Sequence, residues 1–516
     1  MNTTTNRFVN ISLSLADILG EEYITSVCKA KSFLENLPVE TYMAAAHEKV
    51  DFFPGKNQER LIGLIPLIGK KVIDHPFEDH LQSSSTDSFN AAFSVGQSPL
   101  SSTGYYKVTE SGVLRAITKS EHYHAPLGHD FPGYKLIEHA KFLGISNVTH
   151  NNTRGFITRL LENDLIRIAN GSYGSNNNPP LTPDSLNKVI NLQTGSLAVE
   201  AGLKMMLARF YTSDPGMGIE PEFKGKVPVF IVMEDLNGGM QANYHGTTIL
   251  TQTMRELWPE LYNKFVQADA YVVKSVPIND IAAFRKVIEE NDSGKYKVAG
   301  FFHEIVLMNY GGIKLNKEFL QQAHSICKER DIPTLVDEIQ SCLWAPEFFL
   351  YKEYGLKPDF VSVGKGFPGG QYAASKILLT EKMDNLNQFG ALVTNGQEEL
   401  ASLAYLITIR FAHANKEITR ELGDYFELSL NRMADKFPNI IKKIEGLRHL
   451  SSIVFESTEI TAEFAKKVRN HGYDISAQTY KANCPPAALT KIPLIADSSL
   501  IDAFVACMEE VLESYN

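Results

Sequence analysis

The sequence predicts an α/β fold, with a large domain built on a mainly parallel mixed sheet sandwiched by helices. An extended N-terminal segment precedes it and a smaller α+β C-terminal domain follows. Three observations carry this. From residue 186 short apolar runs alternate with helical patterns, the rhythm of βαβ units. The runs are continuous rather than alternating, so both sheet faces are expected to be covered. From about 398 a long helical pattern opens a tail of mixed character.

Taken in order, residues 1–120 form a first unit, mostly helical, with patterns at Leu15–Leu34 and Val39–Val50. The Ser-rich stretch SSSTDSFNAAFSVGQSPLSSTG around 83–104 reads as loop or linker. Residues 121–397 form the large domain. It begins with His- and Asn-rich patches and a helix near Tyr134–Leu143, then the breaker SYGSNNNPPLTPDS. The alternation follows: KVINL, AVEAGLKMMLARFY, VPVFIVM, TILTQTMRELW, AYVVKSV, DIAAFRKVIEE, KVAGFFHEIVL, KEFLQQAHSICKERD, TLVDEI and FVSVG. Residues 398–516 form the C-terminal domain, opened by EELASLAYLITIRFAHA.

A length of 516 residues suggests two to four domains. The chain is 44% apolar and 21% charged, which excludes a disordered or collagen-like chain. A net charge of −10 argues against a nucleic-acid partner. Cys28, Cys327, Cys342, Cys484 and Cys507 are scattered, with no CxxC pair, and read as free thiols. The start MNTTTNRFVN lacks a signal-peptide pattern, and the apolar stretch Leu61–Gly69 is too short for a bilayer. A cytoplasmic location, with no membrane partner, is expected.

In such sheets ligands bind beyond the carboxyl ends of the strands. After KVINL, Gln193-Thr194-Gly195-Ser196 opens a helix, either as a phosphate seat or as a plain N-cap. After VPVFIVM comes Asn243-Tyr244-His245-Gly246, where an aromatic could stack on a flat ring or simply lie on a turn. After TLV, Asp337 suits a protonated ring nitrogen, or caps a loop. After DFVSV, Lys365 sits between glycines, open to a carbonyl as a Schiff-base former, or solvated in a turn. Gly364, Gly366 and Gly369 match GxGxxG literally, but QYAASKILLT beyond them reads as strand, against a dinucleotide site. Phosphate seat, stacking aromatic, carboxylate and lysine at successive strand ends are together what pyridoxal phosphate needs.

These residues resemble the class III (ω-type) aminotransferases of pyridoxal-phosphate fold type I, over about 186–412 and more loosely through the tail. The resemblance rests on DEIQ at 337–340, GLKPDFVSVGKGFPGG around Lys365, TGSLAVEAGLK at 194–204, NYHGTT at 243–248 and Thr394-Asn395-Gly396. It implies pyridoxal 5′-phosphate as cofactor. It also implies Lys365 as Schiff-base lysine and proton shuttle, and Asp337 as partner of the ring nitrogen. Thr194, Gly195, Ser196, Tyr244, His245 and Gln340 become cofactor contacts. Thr394 would reach the phosphate of a neighbouring subunit, so the implied assembly is a homodimer with shared active sites. The activity implied is amino transfer from an amine or amino acid to an oxo acid or aldehyde.

The departures concern the substrate. The Arg that follows Tyr-His-Gly in many relatives is Thr247 here. The Glu expected five residues after Glu304 is Asn309, and the late C-terminal Arg has no match, Lys491 lying beside its place. Arg154, His303, Glu304, Asn309 and Lys491 are the candidate substrate contacts. The missing switch leaves room for a one-substrate enzyme of the same family, a racemase, epimerase or aminomutase. HYHAPLGH at 122–129 gathers His122, His124 and His129, as a polar loop near the active site or a metal site.

Overall fold

The structure is a computed structural model that describes residues 8–74, 84–92, 96–119, 124–147, 150, 152–175, 180–478 and 483–515. Its centre is a seven-stranded sheet. The strands are β1 (Leu186–Leu192), β2 (Val227–Met233), β3 (Val272–Val276), β4 (Tyr296–His303), β5 (Thr334–Asp337), β6 (Phe360–Val363) and β7 (Ser375–Thr380), in the order β1-β7-β6-β5-β4-β2-β3. The pairs β6–β5, β5–β4, β4–β2 and β2–β3 are parallel, whereas β7 runs antiparallel to both its neighbours. The link 364–374 between β6 and β7 holds no helix. It is too short to carry the chain back to the starting edge, so β7 must reverse.

Burial on both faces explains why the strands read as continuous apolar runs. Along β2, Val229, Ile231 and Met233 enter one core while Phe230 and Val232 enter the other. The second core is filled by the Gly195–Leu207 helix, through Ala198, Val199, Leu203 and Met206. Close packing there admits no side chain at Gly202, where a Cβ would stand 2.5 Å from Leu335. The first core runs without a break from Phe8 to Leu512, taking in the Glu399–Ala414 helix.

The N-terminal segment therefore joins the main core. Val9 donates its N–H to Asn415 Oδ1 at 2.8 Å, and Asn415 Nδ2 donates to the Val9 carbonyl at 3.2 Å. Within the Ser-rich stretch the expectation of loop is corrected over its described parts. Asp87–Ala92 is helical, and Pro99–Thr103 pairs antiparallel with Tyr106–Thr109, which in turn pairs with Leu114–Ala116. Gly104, at φ +52°, makes the turn that lets Ser and Thr residues find a partner strand. Residues 83 and 93–95 lie outside the described residues.

The C-terminal tail is α+β. Ile441–Glu445, Ser452–Phe455, Ala487–Leu489 and Ser476–Ala477 form an antiparallel sheet, with the Thr458–Asn470 and Ser498–Glu513 helices beside it. The N-terminal sheet is tied to it by Arg115, which donates to Asp474 Oδ1 at 3.0 Å and to the Arg469 carbonyl at 2.8 Å. All five cysteines are buried and free. Among the described residues no helix is long and apolar enough to cross a membrane.

Candidate active site

A cavity of about 590 Å³ lies where the parallel strands end. That is a size typical of small-ligand sites. It is lined by Thr194, Gly195 and Ser196 after β1, Tyr244 and His245 after β2, Asn309 after β4, Asp337 and Gln340 at and after β5, and Lys365 after β6. Residues read as separate motifs thus share one cavity.

Thr194 is the N-cap of the Gly195–Leu207 helix, its Oγ1 accepting the Leu197 N–H. At a helix start the first amides lack intrahelical acceptors, so a capped end that faces a cavity still offers donors to an anion. Gly246, at φ +140°, brings the Tyr-His-Gly turn against this end. A Cβ there would stand 2.7 Å from the Ser196 Cα. The Thr247 N–H donates to Ser196 Oγ at 3.1 Å, fixing the two segments together.

Asp337 is only 5% exposed, and three neighbouring groups hold its carboxylate. Oδ1 accepts the Ile339 N–H at 3.0 Å and the Ser362 hydroxyl at 2.9 Å, and Oδ2 meets His245 Nδ1 at 2.9 Å. The neighbouring Glu338 is buried too. Desolvation pushes its pKa up to about 7, against hydrogen bonds from Ser341 and Tyr351 that favour the anion. Burial lowers the Lys365 pKa below the usual ammonium range, with Glu304 and Asp337 pulling the other way. Lys365 also takes a left-handed backbone, φ +31°. Such a setting is unusual for a residue with a side chain and recurs at functional sites. Gln340 Nε2 donates to Glu304 Oε2 at 3.0 Å, which fixes the amide orientation. Its Oε1 has no hydrogen-bond partner among the described residues.

The substrate candidates divide. Asn309 lines the cavity. Glu304 stands behind Gln340. Arg154 is exposed and pairs with Glu162 at 3.5 Å, away from the cavity lining. Lys491 is fully buried and outside the lining, donating to the Gln340 carbonyl with its Nζ 3.6 Å from the Trp344 ring centroid. His303 faces away, its Nε2 3.0 Å from His324 Nε2 and its Nδ1 3.1 Å from the Glu304 carbonyl. For Arg154, His303, Glu304 and Lys491, none of which lines the cavity, the expected place in this chain's own cavity is thus corrected. Thr394 is exposed and outside the lining of its own chain's cavity. Of the histidine group, His124 lines the cavity, while His129 lines a separate one. His122 lies outside the described residues. Among the described residues no cluster could hold a metal ion.

His303 has a measurable consequence. Burial lowers its pKa from 6.5 to about 4, so between these pH values it is neutral when folded and takes a proton on unfolding. Its contribution is complete above pH 6.5 and is lost as pH falls toward 4. At about 1.4 kcal/mol per pH unit this amounts to roughly 3 kcal/mol. Urea unfolding of wild type and His303→Asn across this range should show the wild type losing stability more steeply. Parallel curves would remove His303 as the cause.

Several lining residues escaped the sequence reading: Arg255, Tyr372 and Ser375. Ser375 opens β7 directly after the glycine-rich link, and Arg255 follows the Ile249–Thr253 helix. A lone arginine within TQTMRELW was the one available signal for Arg255.

The lining fits a flat, phosphorylated, hydroxylated ring. A helix start suits the phosphate, a carboxylate suits a ring nitrogen, and the orphaned Gln340 oxygen suits a ring hydroxyl. A desolvated amine suits an aldehyde. An open, mainly parallel sheet with this set at its strand ends defines a pyridoxal-phosphate enzyme. The comparisons agree. The family model "Aminotransferase class-III" matches residues 158–512. The chain belongs to that family of pyridoxal-5′-phosphate-dependent aminotransferases.

The acetylornithine aminotransferase of Aquifex aeolicus is 25% identical over 330 residues, covering 63% of this chain and 77% of that enzyme. The putrescine aminotransferase of Pectobacterium atrosepticum is 25% identical over 299 residues, covering 56% and 58%. Among solved structures, the ornithine aminotransferase of Toxoplasma gondii ME49 superposes with a TM-score of 0.64 at 16% identity, covering 84% of this chain and 96% of that one. The acetylornithine aminotransferase of Elizabethkingia anophelis gives 0.62 at 17% identity, covering 82% and 97%. These two likenesses establish the shared fold type.

Proposed function

We propose that the cavity is the site of amino transfer between an amine or amino acid and an oxo acid or aldehyde, with Lys365 as the reacting amine. One observation carries this assignment: Lys365 and Asp337, at the ends of adjacent parallel strands, line one cavity together with the helix start at Thr194. When bound, pyridoxal phosphate supplies an electron-poor ring that stabilises negative charge on the substrate carbon.

The chain's own residues do the rest. Thr194, Gly195 and Ser196 bind the phosphate, and Tyr244 covers the ring. Asp337 would hold a proton on the ring nitrogen, and Gln340 would lie beside the ring hydroxyl. Desolvation favours the neutral form of Lys365 Nζ, the form that a nucleophile and a base require. Nζ is the amine that would hold the cofactor's aldehyde carbon, and it is the base in the lining that would move the proton at the substrate carbon. His245 supports the Asp337 carboxylate from behind.

We further propose a homodimer in which Thr394 completes the phosphate site of the neighbouring copy, and a cytoplasmic location. Thr394 being exposed and away from its own chain's cavity supports the first, and free cysteines support the second.

The test is an absorbance spectrum with added pyridoxal phosphate, before and after borohydride. A visible band that reduction converts into a covalent, lysine-borne label at Lys365 is expected. A protein that gains no band, or is labelled at another lysine, would overturn the assignment.

A further inference from the structure

We propose that Arg255 anchors the substrate, and that at least one of the two substrates therefore carries a carboxylate held by its guanidinium. This rests on the reading of the cavity as the amino-transfer site.

Arg255 is 8% exposed and lines the cavity. Its guanidinium lies over the Tyr244 ring, 4.9 Å from the centroid. This contact sets the plane of the group. Gln241 clamps it at both ends, Oε1 accepting from Arg255 Nη2 at 3.2 Å and Nε2 donating to the Arg255 carbonyl at 3.1 Å. A pre-set, largely desolvated arginine loses little freedom on binding and suits two-pronged carboxylate recognition.

The charge of the lining points the same way. Its sole carboxylate among the described residues is Asp337, already held by Ile339, Ser362 and His245. Against it stand Arg255 and Lys365, with two histidines. Thr247 and Asn309 bring no charge, and Arg154 and Lys491 do not reach the lining. Arg255 is thus the arginine of this wall. A second anion, the cofactor phosphate, shares this chemistry. The helix start at Thr194 offers it a seat of its own, so the substrate is the occupant assigned to Arg255.

The experiment compares wild type, Arg255→Lys and Arg255→Gln as holoenzymes. Glutarate binding is measured by calorimetry. Rates are measured with glutamate and with benzylamine as donors, and cofactor content by absorbance. Arg255→Gln should weaken glutarate binding by about 10- to 100-fold. The glutamate-to-benzylamine ratio of kcat/KM should fall by a similar factor, chiefly through KM for glutamate, and Arg255→Lys should recover part of it. Loss of the visible band in Arg255→Gln would place the arginine on the cofactor phosphate and overturn the proposal. Equal losses with both donors would make it a support for Tyr244, and also overturn it. A wild type with no band and no transfer would instead sink the amino-transfer reading, and the proposal with it. A wild type that transfers amines but shows no response to substitution at 255 would sink only the proposal.

Discussion

Lys365→Ala is expected to lower kcat by about 10⁴-fold or more, the upper end of what loss of a general acid–base alone costs. The reason lies in one atom having two tasks. Nζ would both hold the cofactor's aldehyde carbon and move the proton, and among the described residues no other lysine lines the cavity. Lys491 is nearest in chemistry, yet it is fully buried and donates to the Gln340 carbonyl. The fold should survive, because the change removes a desolvated amine that costs stability to bury. Unfolding midpoints of variant and wild type would separate the two effects. A small amine such as methylamine can enter the vacated space and should restore part of the rate. Retention of more than about a hundredth of the wild-type kcat would exclude Lys365 as the reacting amine.

Asp337→Asn should be the next most damaging change, lowering kcat by about 10²- to 10³-fold, the range seen for single electrostatic contacts to developing charge. Asparagine keeps the shape and can still accept from Ile339 and Ser362, but it has no charge to hold a proton on the ring nitrogen. It also turns an NH₂ or a neutral oxygen toward His245, where a carboxylate oxygen now stands at 2.9 Å. Stability should fall by about 1–3 kcal/mol from this buried mismatch. The two losses separate in one measurement. At saturating substrate and cofactor, at a temperature where the variant is folded, the rate deficit must persist. A deficit that disappears under those conditions would make Asp337 a structural residue.

Much of the sheet was legible because strand and helix periods differ, and both faces of the strands are buried. Apolar runs such as VPVFIVM need no knowledge of their partners to be read. Strand ends are then countable from the sequence, so Asp337 and Lys365 could be placed next to each other without coordinates. What surrounds them could not. Whether His303 points into the cavity or toward His324 depends on a helix 317–329 that only packing positions. Lys491 looked available beside its expected place, but Trp344 and Gln340 close over it. Arg255 was passed over because its value comes from a turn that carries the chain back to Tyr244. The Ser-rich stretch misled for a related reason, since pairing with Tyr106–Thr109 overrides local composition.

The pair of hydrogen bonds between Val9 and Asn415 has a consequence for how the chain is made. The partners are 406 residues apart. At about 5–20 residues per second, the N-terminal segment leaves the ribosome roughly 20–80 s before its partner exists. Leu15, Ile18 and Leu19 belong to the same core as Tyr405 and Leu406, so their apolar faces stay without their final cover for that interval. The segment around Val9 is thus made long before Asn415 and is among the last parts to be locked in place. A shielding chaperone acting on the emerging N-terminal helices would raise the yield of native protein, and a ribosome stalled before residue 415 would hold a chain whose N-terminal segment is open to protease.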